Sequence, residues 1–185
     1  MRLAERIALA EGADVEIVRA AALLHDVARA DEARGGPPHA AAGAARARVI
    51  LAGHPPERVE AVAEAIASHR FRERRAPRTL EAQVLYDADK LDAIGAIGVA
   101  RAYAVAGREG QRLWAEVPPD YVERPVSSLE ENAAPCHTPC HEYVYKLSHL
   151  KDMLYTPTAR RLAEERHAYM AAFFERLDRE VRGEI

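Results

Sequence analysis

This chain is poor in the residues that build sheets, disulfide frameworks and membrane spans. Aromatic residues make up 6% of it, with a single tryptophan, and β-branched residues are sparse. Strands draw on those residue types, so a sheet is not expected. Two cysteines in 185 residues make no disulfide framework, which leaves a cytoplasmic location as the expectation. No apolar run is long enough to span a bilayer, and no charged-then-apolar leader with a small-residue cleavage site is visible. A dominant charge is missing too. With 26 basic and 29 acidic residues the formal net charge is −3, so neither nucleic acid nor a membrane surface is implied as a partner. No internal repeat is visible.

What the chain does have is alanine, foremost among hydrophobic residues that reach 49%. That composition favours helices. Leu3, Ala4, Ile7 and Ala8 recur at helical spacing until Gly12 stops them. Asp14 can cap a second helix that carries His25 and Asp26 in its last turns, with Arg29 one turn further on the same side. After a Gly-Gly-Pro-Pro loop, His39 opens a helix that runs towards Gly53. Pro55 and Pro56 start another, which ends near Ser68 and His69. Thr79 can cap one long helix from about Leu80 to Val105. Gly95 and Gly98 lie inside it at small-residue spacing, which predicts a closely packed neighbour. Ser127 and Ser128, three residues before Glu130 and Glu131, read as a capping box for a short helix. The loop Cys136–His141 enters a helix through Leu150 and Leu154, and Thr156-Pro157 restarts the chain into a last amphipathic helix. The expected fold is all-α, one domain over 1–185, with a helical core over about 1–107 and a C-terminal helical extension over about 127–182.

Two stretches carry the chemistry. Leu24-His25-Asp26 sets an imidazole and a carboxylate beside buried leucines, where a charge is costly unless paired. A divalent metal suits such a pair plus a remote carboxylate, because imidazole nitrogen and carboxylate oxygen both ligate Zn, Mn and Fe. The remote carboxylates are Asp87, Asp89 and Asp92, too acidic for core and too apolar in setting for a plain solvated face. His39 and His69, each at a helix end, are candidates, together with Asp87, for a second metal or for phosphate binding. The Cys136/His137/Cys140/His141 cluster has the wrong spacing for haem attachment and an awkward one for structural zinc, so an ordinary loop is expected there.

Leu23-Leu24-His25-Asp26-Val27-Ala28-Arg29 together with Ala88-Asp89-Lys90-Leu91-Asp92 resembles the HD superfamily of metal-dependent phosphohydrolases. More narrowly, the chain is similar to the bacterial YpgQ/YedJ-like HD hydrolases. The matching pieces run from Glu11-Gly12-Ala13-Asp14 through Ile66-Ala67-Ser68-His69-Arg70-Phe71 to Lys146-Leu147 and Ala163-Glu164-Glu165-Arg166-His167. The resemblance implies an HD-domain helical bundle and a divalent metal (Mn, Fe, Zn or Mg) held by His25, Asp26 and Asp89, with Asp87 as rival to Asp89. It implies phosphoester or phosphoanhydride hydrolysis, most narrowly of nucleoside triphosphates to monophosphate and pyrophosphate. Asp26, Arg29 and Lys90 are then catalytic, and Arg70 and Lys146 hold substrate. A small phosphate substrate, a nucleotide, is the expected partner, and a homodimer is left open. The family's first ligand, a histidine on the first helix, would fall about one turn ahead of Met1, so the ligand helix reads as truncated at its start. Two alternatives stand beside this reading: a weakened HD domain that senses a nucleotide or partner, and a cyclic-nucleotide or alarmone phosphodiesterase.

Overall fold

Several helix ends are set by the residue that stands there. In the computed structural model, which describes residues 1–70, 76–119, 121 and 137–185, helix α1 (Arg2–Glu11) stops at Gly12. That glycine has φ 78°, a left-handed conformation that costs other residues a steric penalty. The Asp14 carboxylate accepts from the backbone N–H groups of Glu16 and Ile17 and starts α2 (Val15–Leu24). This helix ends one residue before His25, so His25 is its C-cap and Asp26 sits in the turn beyond, not within the last helical turns. A four-residue helix, α3 (Arg29–Glu32), follows, then α4 (His39–Ile50) and α5 (Pro56–Ser68). Thr79 Oγ1 accepts from Ala82 N at the start of α6 (Leu80–Leu91).

The single helix expected from about Leu80 to Val105 is two. Ile94 is extended and Gly95 has φ 76°, so the chain turns and α7 (Gly95–Arg108) starts afresh. The helix expected through Leu150 and Leu154 is likewise α8 (Pro139–Tyr145) followed by a 3-10 segment, Leu147–Met153. Last comes α9 (Pro157–Val181). Thr156 caps it, its hydroxyl accepting from Ala159 N. Among the described residues there is no strand, and no helix is long and apolar enough to cross a membrane. The expected capping box at Ser127 and Ser128, and Cys136, lie outside the described residues.

The described chain groups into two compact units, Met1–Lys90 with Leu154–Arg160, and Leu91–Met153 with Arg161–Ile185. The first is built on small side chains. Ala21, Ala44, Ala47, Ala63, Ala65 and Ala82 share its core with Val62, Ile66 and Leu85. Alanine lets helix axes approach closely while costing little side-chain entropy. Gly43 takes this furthest. A Cβ there would lie 3.2 Å from the His25 carbonyl oxygen and 3.3 Å from the Ile66 side chain. This approach lays α4, which His39 opens, against the turn that holds His25 and Asp26. In the second unit, a Cβ on Gly98 would meet the Ala93 carbonyl and lie 2.7 Å from the Met170 methyl, and one on Gly95 would lie 3.1 Å from the Arg166 side chain. The two glycines thus admit α9 closely, as their spacing suggests. Tyr103 packs against Phe173 and Phe174 further along the same pair of helices.

Candidate metal centre

Three helix ends bring Asp26, His39 and His69 together. One ligand atom from each lies within 4.8 Å of the others. His39 Nε2 is 3.5 Å from Asp26 Oδ1, and His25 Nε2 is 3.6 Å from Asp26 Oδ2. The His69 ring lies 5.2 Å, centroid to centroid, from both the His25 and the His39 rings. Asp26 is exposed while His39 and His69 are buried, so the group has a protein side and an open side.

The hydrogen bonds turn the rings the same way. His25 Nδ1 lies 2.9 Å from the Ala22 carbonyl oxygen, and His69 Nδ1 lies 2.6 Å from that of Ile66. Both are carbonyls three residues back, in the last turn of the preceding helix, and that of Ile66 also accepts the His69 backbone N–H at 3.4 Å. His39 Nδ1 instead meets the Glu32 carboxylate. An imidazole whose Nδ1–H is donated keeps Nε2 as its lone-pair nitrogen, which is how metal-ligating histidines are oriented.

Asp89 belongs to the same neighbourhood. Its Oδ2 accepts from Lys90 Nζ at 2.7 Å. Burial pushes its carboxyl up, but the Lys90 ammonium and the imidazoles of His69 and His25 outweigh that and hold it below the usual range. Lys90 is itself buried. It also donates to the His69 carbonyl at 3.1 Å and lies over the Tyr86 ring at 4.7 Å. It therefore neutralises Asp89 and braces the His69 backbone. For His69, burial pulls the imidazole below its ordinary value and favours the neutral form a metal needs.

Asp87, expected as a rival ligand or a contact for a second metal or phosphate, is engaged elsewhere. Its carboxylate is fully buried and spent on the start of α9. Oδ1 accepts from Tyr155 N at 2.9 Å, and Oδ2 accepts from Thr156 N and Thr156 Oγ1, both at 2.7 Å. Asp92 is half exposed and paired with Arg101 at 3.1 Å.

Of the expected phosphate contacts, Arg29 is well exposed and lies 3.3 Å from Asp26 Oδ1, at the open side. Arg70 lies 2.9 Å from Glu32 Oε1 and so buttresses the partner of His39. Glu32 is the residue that sequence reasoning missed. Its one signal was a position seven residues before His39, across the Gly-Gly-Pro-Pro loop.

Lys146 lies in the second unit, on a cleft of about 380 Å³ between α7 and α8. It donates to Glu142 Oε1 at 2.7 Å, and His137 Nε2 is 3.6 Å from Glu142 Oε2. His137 Nδ1 pairs with the Tyr121 hydroxyl at 3.0 Å and His141 Nδ1 with the Thr138 hydroxyl at 2.9 Å, so the expected cysteine–histidine loop spends these two rings on local contacts. Burial pushes the Glu142 carboxyl up, yet His137 and Lys146 overcome it and bring it to about 2, against an ordinary 4.5. A carboxyl lowered on folding adds stability above its unfolded value and loses it as pH falls through the folded one. Unfolding midpoints measured in urea should therefore drop between pH 4.5 and about 2 more steeply in the wild type than in Glu142→Gln. Parallel curves over that window would show that the pair contributes nothing.

Residues 1–94 match the family model of the HD domain. The chain is 35% identical over 188 residues to YpgQ of Bacillus subtilis, an uncharacterised protein, covering 98% of this chain and 80% of that one. A crystal structure of YpgQ aligns with a TM-score of 0.75 at 33% identity, over 98% of this chain and 84% of the other. YpgQ in complex with ADP aligns at 0.72 and 30% identity, over 98% and 85%. An HD-superfamily hydrolase from Bacillus thuringiensis aligns at 0.73 and 30%, over 98% and 81%.

Proposed function

The chain belongs to the HD-domain family and has the fold of its hydrolases, and on that premise we propose that it is a metal-dependent phosphohydrolase that cleaves nucleoside triphosphates to monophosphate and pyrophosphate. The observation that carries the reading is the convergence of Asp26, His39 and His69, with His25 and Asp89 beside them. One carboxylate, three imidazoles with Nε2 available and a second carboxylate form a donor set that fits Mn, Fe or Zn. A divalent ion held there supplies Lewis acidity, polarising a phosphoryl oxygen and acidifying water.

The chain's own residues do the rest. Asp26 stands at the open side, where its carboxylate can accept a proton from attacking water. Arg29, beside it, meets the phosphate charge that a reacting phosphoanhydride presents. Lys90 keeps Asp89 ionised, so a ligand carboxylate is ready without a proton to lose. Hydrolysis places water oxygen on the α-phosphorus and breaks its bond to the α–β bridging oxygen, which leaves with pyrophosphate. The relative crystallised with ADP supports a nucleotide as substrate. Lys146, on its cleft in the second unit, is offered as a substrate contact on family grounds.

The test is a panel of nucleoside triphosphates, cyclic dinucleotides and alarmones, incubated with protein loaded in turn with Mn(II), Fe(II), Zn(II) and Mg(II). Pyrophosphate and monophosphate in equal amounts are expected from triphosphates. Consumption of a cyclic dinucleotide alone would make it a phosphodiesterase. Binding without turnover for any metal would make it a sensor.

A further inference from the structure

The three histidines of the centre are turned the same way by two different kinds of acceptor, and the difference follows from where each sits on its helix. His25 and His69 come at helix C-termini, where the last carbonyls have acceptor capacity left over and meet Nδ1. His39 comes at a helix N-terminus. There the backbone offers only donors, and the preceding Pro38 supplies no side-chain cap. Nothing in its own helix can accept from its ring, so the acceptor must come from elsewhere. It comes from Glu32, whose one carboxylate oxygen meets His39 Nδ1 while the other takes the Arg70 guanidinium at 2.9 Å.

We infer that Glu32 is a positioning residue of the metal centre: it selects the nitrogen that His39 turns towards Asp26, and Arg70 holds it in register. The inference rests on the metal-centre reading above. Glu32 is in direct contact with a buried ring, and its own side chain is about a quarter exposed. Its two carboxylate oxygens meet the His39 ring and the Arg70 guanidinium, so it acts on the centre through His39. The burial penalty on its carboxyl is outweighed by the His39 ring, the Arg70 charge and the His39 backbone N–H, which keep it below the ordinary range. Placing an anion at the start of α4 also complements the positive end of that helix.

Removing the carboxylate frees the ring to carry its proton on Nε2, the nitrogen that a metal needs. Loss of an outer partner of a ligating histidine typically weakens metal binding about 10–100-fold. The experiment measures Mn(II) affinity by calorimetry for wild type, Glu32→Ala, Glu32→Gln and His39→Ala. In parallel, long-range proton–nitrogen spectra of the metal-free proteins report which ring nitrogen carries hydrogen. Glu32→Ala should lose about 10–100-fold in affinity and move the His39 proton to Nε2. His25 and His69, held by their own helices, should keep theirs on Nδ1. Glu32→Gln, which retains an acceptor oxygen, should restore the His39 tautomer and part of the affinity, and it stands in should the alanine variant fail to fold. If His39→Ala loses metal while both Glu32 variants keep wild-type affinity and tautomer, Glu32 is not a positioning residue and the centre stands. If His39→Ala itself binds Mn(II) as the wild type does, the metal-centre reading fails and takes this inference with it.

Discussion

Asp26→Ala should strip the metal from the protein and abolish its turnover. Asp26 is the anion among the three imidazoles: its Oδ1 is 3.5 Å from His39 Nε2, and its Oδ2 is 3.6 Å from His25 Nε2. Neutral imidazoles alone hold a dication less well than imidazoles sharing it with a carboxylate, because the carboxylate offsets charge as well as donating a lone pair. The loss should exceed the upper end of what an outer-shell partner costs, about 100-fold, equivalent to about 2.8 kcal/mol at about 1.4 kcal/mol per tenfold. The fold should survive, because Asp26 is exposed and its contacts to Arg29 and the rings are those of a surface group. The measurement is metal per chain after dialysis, with pyrophosphate release on the same samples. Full metal retention in Asp26→Ala would remove Asp26 from the ligand set and leave His25, His39, His69 and Asp89 to account for it.

The second large effect is on stability, and it separates two aspartates that stand two residues apart. Asp87→Ala would leave Tyr155 N, Thr156 N and the Thr156 hydroxyl without their acceptor, in a buried place. Each orphaned buried group costs about 1–3 kcal/mol, and losing one side of a buried charged network about 3–5 kcal/mol in all. At about 2–4 °C per kcal/mol for a chain of this size, the melting temperature should fall by roughly 6–20 °C. Asp87→Asn should recover only part of this. All three neighbours are donors, and an amide presents one oxygen and one NH2, so at least one donor faces another donor. Neither variant should change metal per chain once folded. Thermal unfolding and metal analysis on the same preparations decide it. An Asp87→Asn protein that melts normally but loses metal would return Asp87 to the ligand set in place of Asp89.

These two aspartates show where sequence reading stops. Residues two apart on a helix point about 200° away from each other, so Asp87 and Asp89 had to serve opposite faces of α6. Which face met the histidines could not be read from the spacing, since both flanks are apolar. The answer lay just before the restart at Pro157, where the N–H groups of Tyr155 and Thr156, the latter 69 residues beyond Asp87, claim its carboxylate. Glu32 was hidden for a similar reason. A glutamate seven residues before a histidine, across a flexible-looking loop, is no pattern at all until α4 packs down and turns the ring towards it. The break after Leu91 was masked by the helical periodicity on both sides of it, and only the positive φ of Gly95 exposes the turn.

The local features were written in the chain itself. Asp14, Gly12, Thr79 and Thr156-Pro157 mark helix ends by the hydrogen bonds and backbone angles that those residues alone offer, whatever they later pack against. The alanine-rich faces and the lack of strand formers determined an all-α chain for the same local reason. The adjacent His25-Asp26 pair marked the chemistry because neighbouring residues at a helix end have nowhere to separate to. What the tertiary structure decided is the joining of helix ends distant in sequence, His39 and His69 with Asp26 and Lys90 with the His69 carbonyl, and the turning of the His39 ring onto Glu32. That joining depends on how closely α4 approaches the His25 turn through Gly43, a property of packed surfaces that a one-dimensional pattern does not carry.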